Sequence, residues 1–170
     1  MPHVLVRICQ AQLAALNRRV AEQHQEKLYR PTVGVIAENG DGEILLILSR
    51  KSGTWIFPQG GVDSDEDIVD GLVRELFEET RVVPTEIRKF CLEDSRDIPG
   101  MNHDGFTRGR WYYYFHVVCA GVPAVTPQPG EVDDCVWLAP EAAARVLSTL
   151  DDTEKREMML GALRKATGLQ

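Results

Sequence analysis

Glu75, Glu78 and Glu79 stand three and four positions apart in the run Arg74-Glu75-Leu76-Phe77-Glu78-Glu79. On a helix those spacings place all three carboxylates on one face. Like charges so placed destabilise an isolated helix by a few tenths of a kcal/mol per pair, and a cation would offset the repulsion. Hard carboxylate and carbonyl oxygens suit Mg2+, which prefers octahedral oxygen coordination and keeps several waters, and Mn2+ accepts similar ligands. Substrate phosphates would complete such a shell, so the chemistry on offer is metal-assisted phosphoryl transfer to water. A solvated acidic helix face with Arg74 paired to Glu78 has the same spacing. Spacing alone leaves both readings open.

The segment around these residues reads as a loop feeding a helix. Pro58-Gln59-Gly60-Gly61 is the loop, Ser64 is placed to cap a helix from about Asp65 to Thr80, and Pro84 stops its continuation. Ile68, Leu72, Val73, Leu76 and Phe77 are expected on or near its buried face. Before it, TVGVIAE and EILLILS flank Asn39-Gly40-Asp41-Gly42, the pattern of two strands joined by a tight turn. Further strands are predicted at Glu86 to Glu93, Trp111 to Cys119 and Asp133 to Ala139. Tyr112 and Tyr114 would share one strand face and Tyr113 the other, as core residues on at least one side. The loop Asp94 to Arg110, with Arg96, His103, Phe106, Arg108 and Arg110, is the natural place for base or lid contacts. Pro140 opens a helix through about Leu147, and Asp151 with Glu154 makes a capping-box-like start for a last helix ending near Gly168. At the other end, Val4 to about Leu28 carries Leu5, Cys9, Leu13, Leu16 and Val20 at helical spacing, an N-terminal amphipathic helix.

The 170 residues, 44% of them hydrophobic, are enough for one well-buried core and too few for two large domains. A net charge of -7 with no run of Lys or Arg argues against coating nucleic acid by bulk neutralisation, while leaving room for a nucleic-acid end in a local pocket. Cys9, Cys91, Cys119 and Cys135 are widely separated and suggest neither a zinc site nor a disulfide framework. Without a membrane-spanning apolar run or a leader pattern, the expectation is a soluble, cytoplasmic protein.

Gly60, Glu66, Arg74-Glu75-Leu76 and Glu78-Glu79 resemble the Nudix box, G-x5-E-x7-R-E-U-x-E-E-x-G-U with U a bulky aliphatic residue, and seven specified positions match in order. Arg81 stands where the family has its last glycine, a position at which glycine ends the helix with positive φ at low cost. Tyr29-Arg30-Pro31, Val33-Gly34-Val35 and Trp55-Ile56-Phe57-Pro58-Gln59-Gly60-Gly61 are similar to the bacterial RNA pyrophosphohydrolase and dinucleoside polyphosphate hydrolase branch. This similarity covers roughly residues 29–138.

The resemblance implies an α/β fold, the Nudix α/β/α sandwich around a mixed sheet, with residues 1–28 as a helical extension and 29–170 as the hydrolase domain. It implies Mg2+, with Mn2+ as a substitute, held by Glu78, Glu79 and the Gly60 carbonyl. Glu75 is then a ligand or the general base. Glu131, upstream of Trp137, matches a further glutamate of that branch that serves as a ligand or base. Arg74 is expected to orient the acidic cluster, with Glu66 as partner, rather than to touch substrate. Arg30, Arg50, Lys51 and Gln59 are the candidate substrate contacts.

The substrate implied is a dinucleoside polyphosphate or the 5' triphosphate end of RNA. The rivals are a free nucleoside triphosphate or a nucleoside diphosphate derivative such as ADP-ribose and, from another class, a nucleotide or RNA-end sensor without turnover. Only Ser52-Gly53-Thr54 separates Lys51 from Trp55, a tight connection that favours small dinucleotides over RNA. A homodimer through the N-terminal helix is the partner arrangement that helix suggests, and no membrane partner is expected.

Overall fold

The computed structural model describes residues 3–170. In chain order the elements are β1 (Leu5–Val6), α1 (Gln10–Glu26), β2 (Tyr29–Glu38), β3 (Ile44–Ser49), β4 (Trp55–Ile56), β5 (Gln59–Gly61) and α2 (Ile68–Thr80). Then follow β6 (Glu86–Asp97), β7 (Gly109–Val118), β8 (Val132–Leu138), α3 (Pro140–Leu147) and α4 (Thr153–Thr167).

The sheet is mixed. β2 runs parallel to β7 along its whole length, from Tyr29 opposite Gly109 to Glu38 opposite Val118, and β6 is antiparallel to β7. On the other side, β3 joins β2 and also pairs antiparallel with β4 and β8. β5 pairs antiparallel with β2, setting Gly60 opposite Val33, so the loop before α2 is fixed to the central strand. Asn39 builds the β2–β3 turn by accepting backbone N–H bonds from Asp41 and Glu43, both at 3.0 Å.

Alternation along β2 and β7 divides the core into two layers. Val33, Val35, Tyr113 and Phe115 face α1 and α2, where Leu16, Val20, Leu72 and Leu76 cover them. Ile36, Tyr112 and Tyr114 face the other way, under Leu147 of α3 and Met159 and Leu163 of α4. This is the α/β/α sandwich expected. All three tyrosines are core residues, with Tyr113 on the face opposite its two neighbours. No helix among the described residues is long and apolar enough to cross a membrane.

Several boundaries differ from the sequence reading, each for a tertiary reason. The N-terminal helix begins at Gln10, because Leu5 and Arg7 donate their N–H groups to Thr85 and Ile87 and extend the sheet as a parallel edge strand. Of the expected apolar stripe, Leu16 and Val20 are covered within the chain, each 4% exposed, and Leu13 is half-buried, whereas Leu5 and Cys9 precede the helix and are exposed. α2 begins at Ile68, not Asp65, and Ser64 does not cap it. The Ile68 N–H instead donates to Asn17 Oδ1 of α1 at 2.9 Å, while the turn before it aims Glu66 inward at Arg74. Phe77 is not on the buried face; it is 42% exposed and lies under the Arg81 guanidinium. Arg81 itself takes the left-handed conformation, φ 63°, and its N–H closes the helix on the Phe77 carbonyl. β6 runs on to Asp97, which pairs with Gly109, so the loop left open is 98–108 rather than 94–110. α4 is capped by Asp152, which accepts from the Lys155 N–H, and not by Asp151.

Candidate active site

β5, α2 and the segment before β8 converge on one polar cavity of about 470 Å³. One wall is acidic. Glu75, Glu78 and Glu79 reach it from α2, and Glu131 from the residue before β8. Gln59 and Gly60 close the end where β5 meets the helix. Arg30 of β2, Lys51 of the β3–β4 turn, and Arg110 of β7 with His103 of the 98–108 loop line the same cavity. Opposite charges lining one space suit a ligand that carries anionic oxygens and a cation together.

Close approach explains the two glycines. A Cβ at Gly60 would lie 1.9 Å from the Glu75 carboxyl carbon, and one at Gly61 would lie 2.4 Å from the Arg30 guanidinium carbon. β5 is therefore backbone only where the glutamate and the arginine cross it.

Arg74 lies behind the acidic wall and organises it. Its guanidinium donates to Glu66 through Nε at 3.0 Å, to Glu75 at 2.8 Å, to Glu78 at 3.3 Å and to the Gly61 carbonyl at 2.8 Å. Both pairings expected of Arg74, with Glu66 and with Glu78, form. At Glu66, burial raises the carboxyl's pKa, but the bonds from Arg74 and the Asp63 N–H outweigh it and the net shift is downward. Arg74 is held in its charged form by the same contacts.

The glutamates respond differently. Burial pushes Glu79 up to about 8, and neighbouring Glu75, Glu131 and Glu78 push the same way against the single bond from the Gln59 N–H at 2.9 Å. Burial raises Glu75 as well, with Arg74 opposing. Carboxylates that resist ionisation beside other carboxylates need positive charge, and a hard divalent cation is the group that supplies it. The residues present fit one, although they are not gathered as a finished ligand set among the described residues. Arg74 draws Glu75 and Glu78 towards itself, and a cation in the cavity would compete with it for them.

Arg50 is the one candidate contact that the structure keeps outside the cavity, since its Nε donates to Asp133 at 2.6 Å on the surface. Arg30 is half-buried; burial, with Arg110 nearby, lowers its pKa, yet a guanidinium keeps its charge. Asp104 was not singled out by sequence reasoning, yet its carboxylate pairs with Arg30 at 3.3 Å and with His103 at 2.9 Å. Its signal is the Asp104-Gly105 pair, whose two residues both take positive φ. Arg96, expected with the lid loop, instead belongs to β6 and pairs with Asp152 at the start of α4.

A family model for the NUDIX domain matches residues 28–160, most of the chain. The RNA pyrophosphohydrolase of Baumannia cicadellinicola subsp. Homalodisca coagulata is 42% identical over 60 residues, which is 35% of this chain and 38% of that protein. The match thus spans about a third of the length of the curated relatives. Among solved structures, the MutT protein of Methanosarcina mazei Go1 superposes with a TM-score of 0.61 at 19% identity, covering 82% of this chain and 96% of that one. A C. elegans Ap4A hydrolase does so at 0.58 and 20% identity, over 80% and 93%. At such identities the superpositions speak to the fold, and the sandwich described above is the one they share. With the box residues along β5 and α2 inside a matched segment that runs through every layer of that sandwich, the chain belongs to the NUDIX family.

Proposed function

We propose that the protein hydrolyses a diphosphate bond of a nucleotide-type substrate, preferentially a dinucleoside polyphosphate or the 5' triphosphate end of RNA. The observation that carries this reading is one cavity lined both by Glu75, Glu78, Glu79 and Glu131 and by Arg30, Lys51 and Arg110. The name of the curated RNA pyrophosphohydrolases supports the substrate class.

Mg2+, or Mn2+ in its place, would be held by Glu75, Glu78, Glu79 and the Gly60 carbonyl, with Glu131 as a further ligand or the base, and when bound supplies charge neutralisation for the phosphates and a water of lowered pKa. Arg30, Lys51 and Arg110 in the same cavity hold the phosphate oxygens, and Gln59 of β5 is a further contact to them. Arg74 fixes Glu75 and Glu78 from behind and touches no substrate, which makes it a positioning residue rather than a catalytic one. Glu131 is exposed at the rim with no side-chain hydrogen bond among the described residues, while Glu75 is half-buried and anchored by Arg74. Glu131 is accordingly the better placed to take the proton from the attacking water. A homodimer through α1 would have to use that helix's polar outer face, because Leu16 and Val20 are already covered.

The test is product chromatography after incubation with Mg2+ and a panel of diadenosine tetraphosphate, triphosphate-ended RNA, nucleoside triphosphates and ADP-ribose. Cleavage of the first two, abolished by a chelator, is expected. Cleavage confined to nucleoside triphosphates or ADP-ribose would replace the substrate assignment, and silence across the panel would leave a sensor.

A further inference from the structure

The acidic groups of the catalytic cavity have Arg74 behind them, and two of its basic groups meet at a single carboxylate. Asp104 Oδ2 lies 3.3 Å from Arg30 Nη2 and 2.9 Å from His103 Nδ1. Arg30 and His103 both line the cavity, and Asp104 stands outside its lining. We infer that Asp104 is a positioning residue, which keeps Arg30 and His103 directed to the phosphate chain and keeps Arg30 from turning onto Glu75. The inference rests on reading that cavity as a polyphosphate site.

Arg30 needs such a partner because other carboxylates compete for it. The Glu75 carboxyl and the Arg30 guanidinium pack over consecutive glycines, Gly60 and Gly61. Burial and Arg110 act against the charge on Arg30, while Asp104, Glu75 and Asp63 act in its favour. Of these three, Asp104 alone lies within ion-pairing distance among the described residues. A pair between Arg30 and Glu75 would occupy at once a phosphate contact and a carboxylate that the cation needs. Asp104 holds the guanidinium from outside the cavity, so Glu75 is left to Arg74 and the cation.

The end of α1 fixes where that carboxylate stands. His103 and Phe106 pair across Asp104-Gly105, whose φ values of 51° and 83° make a tight two-residue turn that Asp-Gly forms readily. Phe106, 1% exposed, anchors the turn, with the Lys27 ammonium 4.4 Å from its ring centroid and the His24 ring edge-on at 5.5 Å. Thr107 and Arg108 donate their N–H groups to the Lys27 and Leu28 carbonyls at 3.1 and 2.9 Å, and Lys27 Nζ donates to the Asp104 carbonyl at 3.3 Å. A helix that precedes the matched family segment thus braces the loop that braces Arg30. The Asp104 side chain is 62% exposed, and an ion pair so placed contributes little to stability, so folding alone gives little reason for a charge there.

Asp104→Asn tests this, since asparagine forms the same left-handed turn and lacks only the charge. Calorimetric titration of the full chain with methylene-bridged, non-hydrolysable diadenosine tetraphosphate in saturating Mg2+ should show binding weakened about tenfold, with an unchanged melting temperature. In an Arg30→Ala, His103→Ala background the same substitution should change affinity by less than about twofold, because the groups that Asp104 positions are gone. Coulomb repulsion alone predicts the opposite sign, since removing an anion beside a phosphate site tightens binding. Tighter or unchanged binding by Asp104→Asn therefore overturns the inference. An equal loss in both backgrounds also overturns it, because Asp104 would then act without Arg30 and His103. Turnover of hydrolysable diadenosine tetraphosphate by the same preparations separates this inference from the proposed activity. A wild type that binds without turnover, and whose binding follows Asp104 as expected, removes the hydrolase alone. Turnover by a wild type whose binding ignores Asp104→Asn removes the positioning role alone.

Discussion

The two faces of the sheet are built from alternate residues of the same strands, yet they solve opposite problems. Under α3 and α4, the layer of Ile36, Leu46, Tyr114, Met159 and Leu163 is apolar, and its members are almost wholly removed from water. Under α2, the helix that buries Leu72 and Leu76 also carries Glu75 and Glu79 into the protein, where burial raises both pKa values. One face gains stability from what it buries. The other gives some up to keep four carboxylates within reach of each other, a cost tolerated where charge must be met by a ligand. Replacing residues on each face should therefore move activity and stability independently.

The largest effect expected is on the α2 face. Glu78→Gln removes a charge from a 42% exposed side chain that supports no core packing. Steady-state turnover with saturating Mg2+ should fall by about a hundredfold to a thousandfold, as losing a major electrostatic contribution does, with the melting temperature unchanged within a degree or so. Turnover within about twofold of wild type would remove Glu78 from the site.

The converse on the other face is Leu163→Ala, which empties a fully buried position between α4 and the sheet. It should cost about 2–5 kcal/mol in denaturant unfolding and leave kcat of the folded fraction near wild type. Equal losses of stability and kcat would show that the two faces are coupled and the contrast false.

Arg74→Lys belongs between these cases. Lysine keeps the charge and loses the planar fork that reaches Glu66, Glu75, Glu78 and the Gly61 carbonyl together. An approximately tenfold drop in kcat/KM, about 1.4 kcal/mol, carried by kcat more than KM, is expected of a residue that orients ligands without touching substrate. A change in KM alone would place Arg74 in contact with substrate instead.

What could be read from the sequence divides along the same line. The box glutamates were legible because their spacing and the Gly60 loop report a loop entering a helix, a local pattern. The strands followed from alternation, as in TVGVIAE and the tyrosine run, and the sandwich from the family resemblance with which their order is compatible. Long-range contacts were not legible. Whether Leu5-Val6 pairs with β6, whether Asn17 caps α2 in place of Ser64, and whether Arg50 turns to Asp133 all depend on residues distant in sequence. The meeting of His24 with the catalytic neighbourhood is another such case, since α1 lies outside the matched family segment and packs beside it only in three dimensions.

Titration gives the finest test, because the buried ionisable groups on the two faces should fail at opposite ends of the pH scale. Glu79 in the metal-free protein has its pKa raised to about 8, mainly by burial, so the neutral form is the one the fold favours. Its contribution is fully present below the unfolded value near 4.5 and is lost as pH rises through about 8. His116 of β7 lies beside Ile36, on the α3 and α4 face, 3% exposed, with Nε2 2.7 Å from a Glu38 carboxylate oxygen. Burial lowers its pKa, the Glu38 carboxylate opposes, and Arg88 and Lys89 add to the lowering. Its contribution is therefore present above the unfolded value near 6.5 and is lost as pH falls through the folded one. In the metal-free protein Glu79 should lower the melting temperature by a few degrees as pH rises from about 5 to about 8, and His116 should lower it as pH falls below about 6.5. Glu79→Gln should remove only the alkaline decline, which Mg2+ should also suppress in wild type by favouring the ionised form. His116→Gln should remove only the acid one. If either substitution flattened both limbs, the two faces would share one titrating network, and the separation between a face that stabilises and a face that binds would not hold.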